Sequence, residues 1–200
     1  DLAFRIGVSK KELLSEDHIQ LAEKIMDSAG KLEKNLISWK EHIAECIGFA
    51  EACPVKNDLL EDLKNYFRNE PVKSGVVLGT SYPSLNRADT YLFSLCTLTF
   101  DGKIKNSLVE AWYSLMTYFL ILDDLVDIRQ DFQNKEENAL IDAGLTEEGA
   151  AIITEMINRS YTAMNAINPV MANRIDHKRQ TIDVAAIIRN FINEQPSPGK

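Results

Sequence analysis

From Ser15 to Ala50 apolar side chains return at every third or fourth position: Leu21, Ile25, Met26, Leu32, Leu36, Trp39, Ile43, Cys46, Ile47 and Ala50. A period of 3.6 residues gathers these on one helix face, and Ser15 followed by Glu16 and Asp17 supplies a cap with acids in the first turn. The spacing predicts one long amphipathic helix, kinked near Gly30 and ended by Pro54. Asn57 or Asp58 restarts a shorter helix through Leu59 and Phe67, which breaks at Asn69-Glu70-Pro71. Further helices are predicted from about Leu85 to Thr99, from about Asn106 to Phe132, from Thr146 to Met164 and from Val170 to Ile192. Asp101-Gly102 and Asn168-Pro169 punctuate them. No alternating run is long enough to build a sheet, so the expected fold is an all-α helical bundle. The one long connection, Val72 to Asn86, carries Gly75, Gly79 and Pro83 and is a candidate lid or pocket wall.

Two hundred residues with 45% apolar and 26% charged side chains suit one compact domain. Residues 1–14 are expected as an N-terminal arm and 194–200 as a flexible tail. The longest apolar stretch, Ala111 to Leu122, is interrupted by Ser114 and Thr117, which falls short of an integral membrane span. Asp1 to Ile6 has no charged-then-apolar leader pattern. Cys46, Cys53 and Cys96 are odd in number and lack Cys-x-x-Cys spacing, so they read as small buried side chains in a reducing, cytoplasmic compartment. His18, His42 and His177 lack metal-ligand spacing, and the adjacency of Glu41 and His42 disfavours a di-iron bundle.

The formal charge of −8 is concentrated. Between Asp123 and Glu148 stand nine acids against two bases, Arg129 and Lys135, which disfavours nucleic acid there and favours a cation. On a helix Asp123, Asp127 and Asp131 fall at i, i+4 and i+8 and form one stripe, with Asp124 beside it. Like charges at that spacing cost a few tenths of a kcal/mol each, so helix stability does not select them. The preceding turns, Ala111 to Leu122, are apolar nearly all round and imply a buried helix. The acids therefore begin where that helix emerges or at the floor of a cavity, where Mg²⁺ would supply the counter-charge. The competing reading is a solvated face partnered locally by Arg129 and Lys135. Trp112, Tyr113, Tyr118 and Phe119 either line such a cavity or are plain core. A basic patch, Arg174 with His177-Lys178-Arg179, is either a solvated face or a counterpart to the acids within the fold or across a dimer.

Asp123-Asp124-Leu125-Val126-Asp127, behind its apolar approach helix, resembles the DDxxD motif of the class I terpenoid synthases and trans-isoprenyl diphosphate synthases. That resemblance implies a terpenoid-synthase-like helical bundle in which Asp123 and Asp127, with Asp124 as a further ligand, hold Mg²⁺ against a substrate diphosphate. Arg87, in Ser84-Leu85-Asn86-Arg87, stands where the prenyl synthases have a Gly-Lys-x-x-Arg-Pro grip, and Arg129 stands in for the Arg-Arg-Gly that often follows the motif. Phe119-Leu120-Ile121-Leu122-Asp123-Asp124 is also similar to the second family motif, Phe-Gln-x-x-Asp-Asp. The nearest candidate for a second metal-binding wall, Asn173-Arg174-Ile175-Asp176, does not fit, and only 73 residues follow Asp127.

The functional expectation is Mg²⁺-dependent binding or conversion of an isoprenyl diphosphate, by a prenyl transferase or terpene synthase or by a reduced, inactive relative. The alternative is a non-catalytic helical domain acting through protein contacts, with a homodimer among its assemblies. A cation-binding bundle unrelated to isoprenoids is a third reading.

Overall fold

The computed structural model describes residues 2–194; the expected tail beyond Glu194 lies outside them. Among the described residues there is no β-strand, in agreement with an all-α chain. The helices are α1 (Leu2–Ile6), α2 (Lys10–Leu13), α3 (Glu16–Glu33), α4 (Trp39–Glu51), α5 (Leu59–Phe67), α6 (Gly102–Asn134), α7 (Ala139–Asp142), α8 (Glu147–Ile167), α9 (Pro169–Thr181) and α10 (Val184–Glu194). Two 3-10 segments, Pro83–Asn86 and Asp89–Thr97, precede α6. None of the described helices is long and apolar enough to cross a membrane.

The contacts gather into two compact units. One comprises residues up to Leu78 together with Ala88–Glu110; the other comprises Gly79–Arg87 together with residues from Ala111 onward. Helix α6 thus lends its first turns to one and the rest to the other.

In the first unit the predicted long helix is two helices. Gly30 lies inside α3, and the break comes at Asn35, whose φ of 54° is left-handed. There the Leu36 N–H reaches back to the Lys31 carbonyl at 2.9 Å, the αL ending that Asn tolerates better than most residues. Ser38 and Glu41 then form a reciprocal capping box that starts α4. The region predicted as an α-helix from Leu85 to Thr99 winds instead as two 3-10 pieces. The second is buried at Asp89, Thr90, Leu92, Phe93, Cys96 and Thr97, and such packing outweighs the better hydrogen bonds of an α-helix. Residues 2–14 form two short helices, and Val8, 1% exposed, packs with Leu98 and Leu108.

His42 ties this unit together. It is 1% exposed; its Nδ1 lies 2.7 Å from Ser28 Oγ on α3 and its Nε2 lies 3.0 Å from Thr90 Oγ1. Burial holds its pKa below the usual histidine value, against the opposing pull of Glu45. Lys105 is the second buried polar centre, donating to Asp62 at 2.8 Å and to Asp58 at 2.9 Å.

The second unit packs α6, α8 and α10 around Tyr118, Ile121, Leu125, Ile128, Ile153, Ile157, Ile188 and Phe191. Thr146 caps α8 as expected, its side chain accepting from the Gly149 N–H. The helix predicted from Val170 to Ile192 is interrupted: Ile182 is extended, and the Asp183 carboxylate accepts from the Ala186 N–H at 2.9 Å, which starts α10 afresh.

Candidate functional site

The acidic cluster lies in the last third of α6, and the helix phase sorts its members. Ile121, Asp124, Leu125 and Ile128 fall at i, i+3, i+4 and i+7, one stripe turned to the core. Asp124 is accordingly 2% exposed, whereas the Asp123 side chain is 71% exposed and Asp127 is exposed. The central acid of the cluster is buried, and the two that the resemblance makes the principal ligands are in water.

Asp124 is fully engaged. Its Oδ1 accepts from Arg87 Nη2 at 2.8 Å, and its Oδ2 accepts from the Ala139 N–H at 2.7 Å and from Arg87 Nη1 at 3.5 Å. Burial pushes its pKa up, with the Arg87 guanidinium and the Ala139 N–H pulling the other way. Arg87 also donates to the Ser84 carbonyl at 2.9 Å, and its Nη2 lies 3.8 Å from Asp123 Oδ2. The Asp127 side chain makes no hydrogen bond or ion pair with other described residues.

Local structure explains why Ala139 arrives there. Lys135, at φ 60°, ends α6 in the left-handed region, and the Glu136 N–H reaches back to the Asp131 carbonyl at 2.8 Å. The chain reverses into α7, capped by Asn138, whose Oδ1 accepts from the Leu140 N–H at 2.9 Å. The Asn138 amide donates to the Asp124 carbonyl and to Asp131 Oδ2, both at 2.8 Å. Asp142 completes the arrangement by accepting from the Ser84 N–H at 3.0 Å. Segment 83–87, the end of α6 and α7 are thus bound by one polar network.

Of the residues singled out from sequence, Arg87, Asp123 and Asp124 are brought together. Arg129 is not: it forms a two-pronged, half-exposed pair with Glu194 on α10, at 2.7 and 2.8 Å. Sequence reasoning missed Asn138 and Asp142. The signal for Asn138 was present, an Asn directly before the apolar start of Ala139-Leu140-Ile141. Asp142 joined the network only through the chain reversal, which no periodicity announces.

Among the described residues, no three His, Cys, Asp or Glu side chains converge as metal ligands. Two cavities of the second unit flank α8. One of about 590 Å³ is lined by residues that include Glu147, Ala150, Thr154 and Asp183; the other, of about 620 Å³, by residues that include Tyr82, Ile152, Met156 and Arg159. The cluster lines neither.

Fold and site together define an all-helical protein with a buried carboxylate–guanidinium lock at the end of its longest helix. Comparison of the chain with protein-family models, with curated proteins and with solved structures found no match.

Proposed function

We propose that this chain is a non-catalytic helical domain that works through protein contacts. The observation that carries the reading is the division of labour in the acidic cluster. Asp124 is spent on Arg87 and on the start of α7, while Asp123 and Asp127 face water. Beside them on α6 stand Phe119 and Val126, 45% and 76% exposed. Solvated carboxylates set among exposed apolar side chains suit a protein partner better than an enclosed lipid chain, which needs an apolar pocket continuous with its polar groups. Isothermal titration with Mg²⁺ and a non-hydrolysable diphosphate analogue tests this: no binding is expected. Binding that disappears in Asp123→Ala with Asp127→Ala overturns it.

A second reading keeps the Mg²⁺-dependent isoprenyl diphosphate site, in a reduced relative of the terpenoid synthases. It is favoured by the partner-free Asp127 carboxylate one turn beyond Asp123, with Arg87 within 3.8 Å of the latter. Mg²⁺ is commonly held by one or two carboxylates, with water and phosphate completing its shell, so Asp123 and Asp127 fit that role. Asp124 does not, because both of its oxygens are taken. In this reading the metal, when bound, neutralises the diphosphate, and Arg87 is the residue placed to hold an anion beside it. The same titration decides between the two.

A further inference from the structure

Two exposed helix faces of the second unit carry matching patterns. On α6, Phe119, Asp123, Val126, Asp127 and Gln130 occupy offsets 0, 4, 7, 8 and 11 and are all exposed. On α9, Val170, Arg174, His177, Lys178 and Thr181 occupy the same offsets and are likewise exposed. Set side by side in parallel, the strips bring Phe119 to Val170, Asp123 to Arg174, and Val126 with Asp127 to His177 with Lys178. Each strip runs about 16 Å at the α-helical rise, so the lengths agree as well.

Of the charged side chains on these two faces, Asp123 has an internal partner, Arg87 Nη2 at 3.8 Å, and the others are without one among the described residues. Val126 and Val170, 76% and 59% exposed, are among the largest apolar exposures of the unit. The side chains of Arg174, His177 and Lys178 make no ion pair or hydrogen bond with other described residues, and neither does Asp127. Their neighbour Arg179 differs, being held by Asp176 and stacked on the Tyr161 ring. Of the bases on α9, those on the outward strip are thus unpaired, whereas Arg179 beside them is engaged within the unit.

We propose that the α6 strip of one copy docks on the α9 strip of another, so that the partner is a second copy of this chain. The proposal rests on the protein-contact reading above and names its partner. The contact joins two different faces, which makes it heterologous and able to extend head to tail rather than stop at a dimer. Two strips of this length lie at the small end of specific interfaces, so the association is weak, and its charge pairs make it sensitive to salt.

Sedimentation velocity over a concentration series at low and high salt is the test. Expected is association that grows with concentration at low salt and vanishes at high salt. Two charge-reversed chains sharpen it: Asp123→Lys with Asp127→Lys, and Arg174→Glu with Lys178→Glu, each checked for wild-type helix content by circular dichroism. Each alone carries like charge on both strips and is expected to be monomeric, whereas an equimolar mixture regains association. A wild-type chain that stays monomeric at low salt overturns the proposal, as does association that survives either reversal or a mixture that remains monomeric. Such a failure leaves the diphosphate titration, and hence the protein-contact reading, untouched.

Discussion

Arg87 Nη2 lies 2.8 Å from Asp124 Oδ1, and the Asp124 side chain is 2% exposed. Removing one partner of a buried pair is costly because the other keeps its desolvation without its compensation. Asp124→Ala strands the Arg87 guanidinium and the Ala139 N–H together. Arg87, 27% exposed, retains some water, so the expected loss is about 3 kcal/mol, at the low end for buried pairs. Asp123→Ala and Asp127→Ala are expected within about 0.5 kcal/mol of wild type, as exposed sites usually are. Chemical denaturation followed by Trp112 fluorescence, a reporter within the second unit, checks the contrast. Equal losses at all three positions would remove the distinction between buried and solvated members of the cluster.

That contrast also marks how far the sequence could be read. The 3.6-residue period located most of the helices, because amphipathic patterning is a local property that survives into the fold. The DDxxD spacing located the acids but gave no phase. A rotation of 100° decides whether Asp123 or Asp124 faces inward, and that choice belongs to the packing of Ile121, Leu125 and Ile128. The break between α3 and α4 was legible in principle, since Asn35 and the Ser38-x-x-Glu41 box are both local signals. The 3-10 winding of Asp89–Thr97 was not, because it follows from burial against helices remote in sequence.

His42 should give the first unit an acid-sensitive stability. Its folded pKa is depressed by burial, so below the ordinary histidine pKa near 6.5 the unfolded chain binds a proton that the folded chain resists. The sign follows: the contribution is complete above about pH 6.5 and is lost as pH falls below it, at no more than about 1.4 kcal/mol per pH unit. His42→Gln, which cannot be protonated, should be less stable at neutral pH but flatter between pH 7 and pH 5. Unfolding monitored through Trp39 at several pH values provides the comparison, and parallel curves for the two proteins would count against it.

Gly149 stands in the first turn of α8 where a Cβ would lie 1.8 Å from the Gly144 carbonyl oxygen and 2.8 Å from that of Ala143. Both obstacles are backbone, so the turn itself must move. Gly149→Ala is expected to cost about 2 kcal/mol or more, even though alanine is the better helix former. Gly30→Ala, whose added methyl meets nothing within 4 Å inside α3, should stabilise by roughly 0.5 to 1 kcal/mol. Thermal melts of the two variants should shift in opposite directions.

The thiols should separate by reactivity. Burial pushes Cys46 and Cys96 up to about 12, so little thiolate exists at pH 8, and both are enclosed. Cys53 is only partly buried. One fast-reacting thiol is expected in the native protein and three after denaturation, counted with a chromogenic disulfide reagent. Loss of the fast phase in Cys53→Ser identifies it.

Lys105 provides the sharpest test of how the first unit is held. Its ammonium is 2% exposed and is shared between the nearly buried Asp62 and the exposed Asp58, while Ser74 Oγ donates to the same Asp62 oxygen at 2.6 Å. Lys105→Met leaves Asp62 buried without its cation and is expected to cost about 3 kcal/mol. Most of that cost is an uncompensated carboxylate rather than a lost attraction, because pairing only partly repays the desolvation of two ions. Adding Asp62→Leu to Lys105→Met removes the stranded charge and fills the space with apolar atoms. The double variant should therefore recover at least half of the lost stability in urea denaturation. Losses that simply add would mean that the pair itself, and not the penalty of breaking it, supplies the stability.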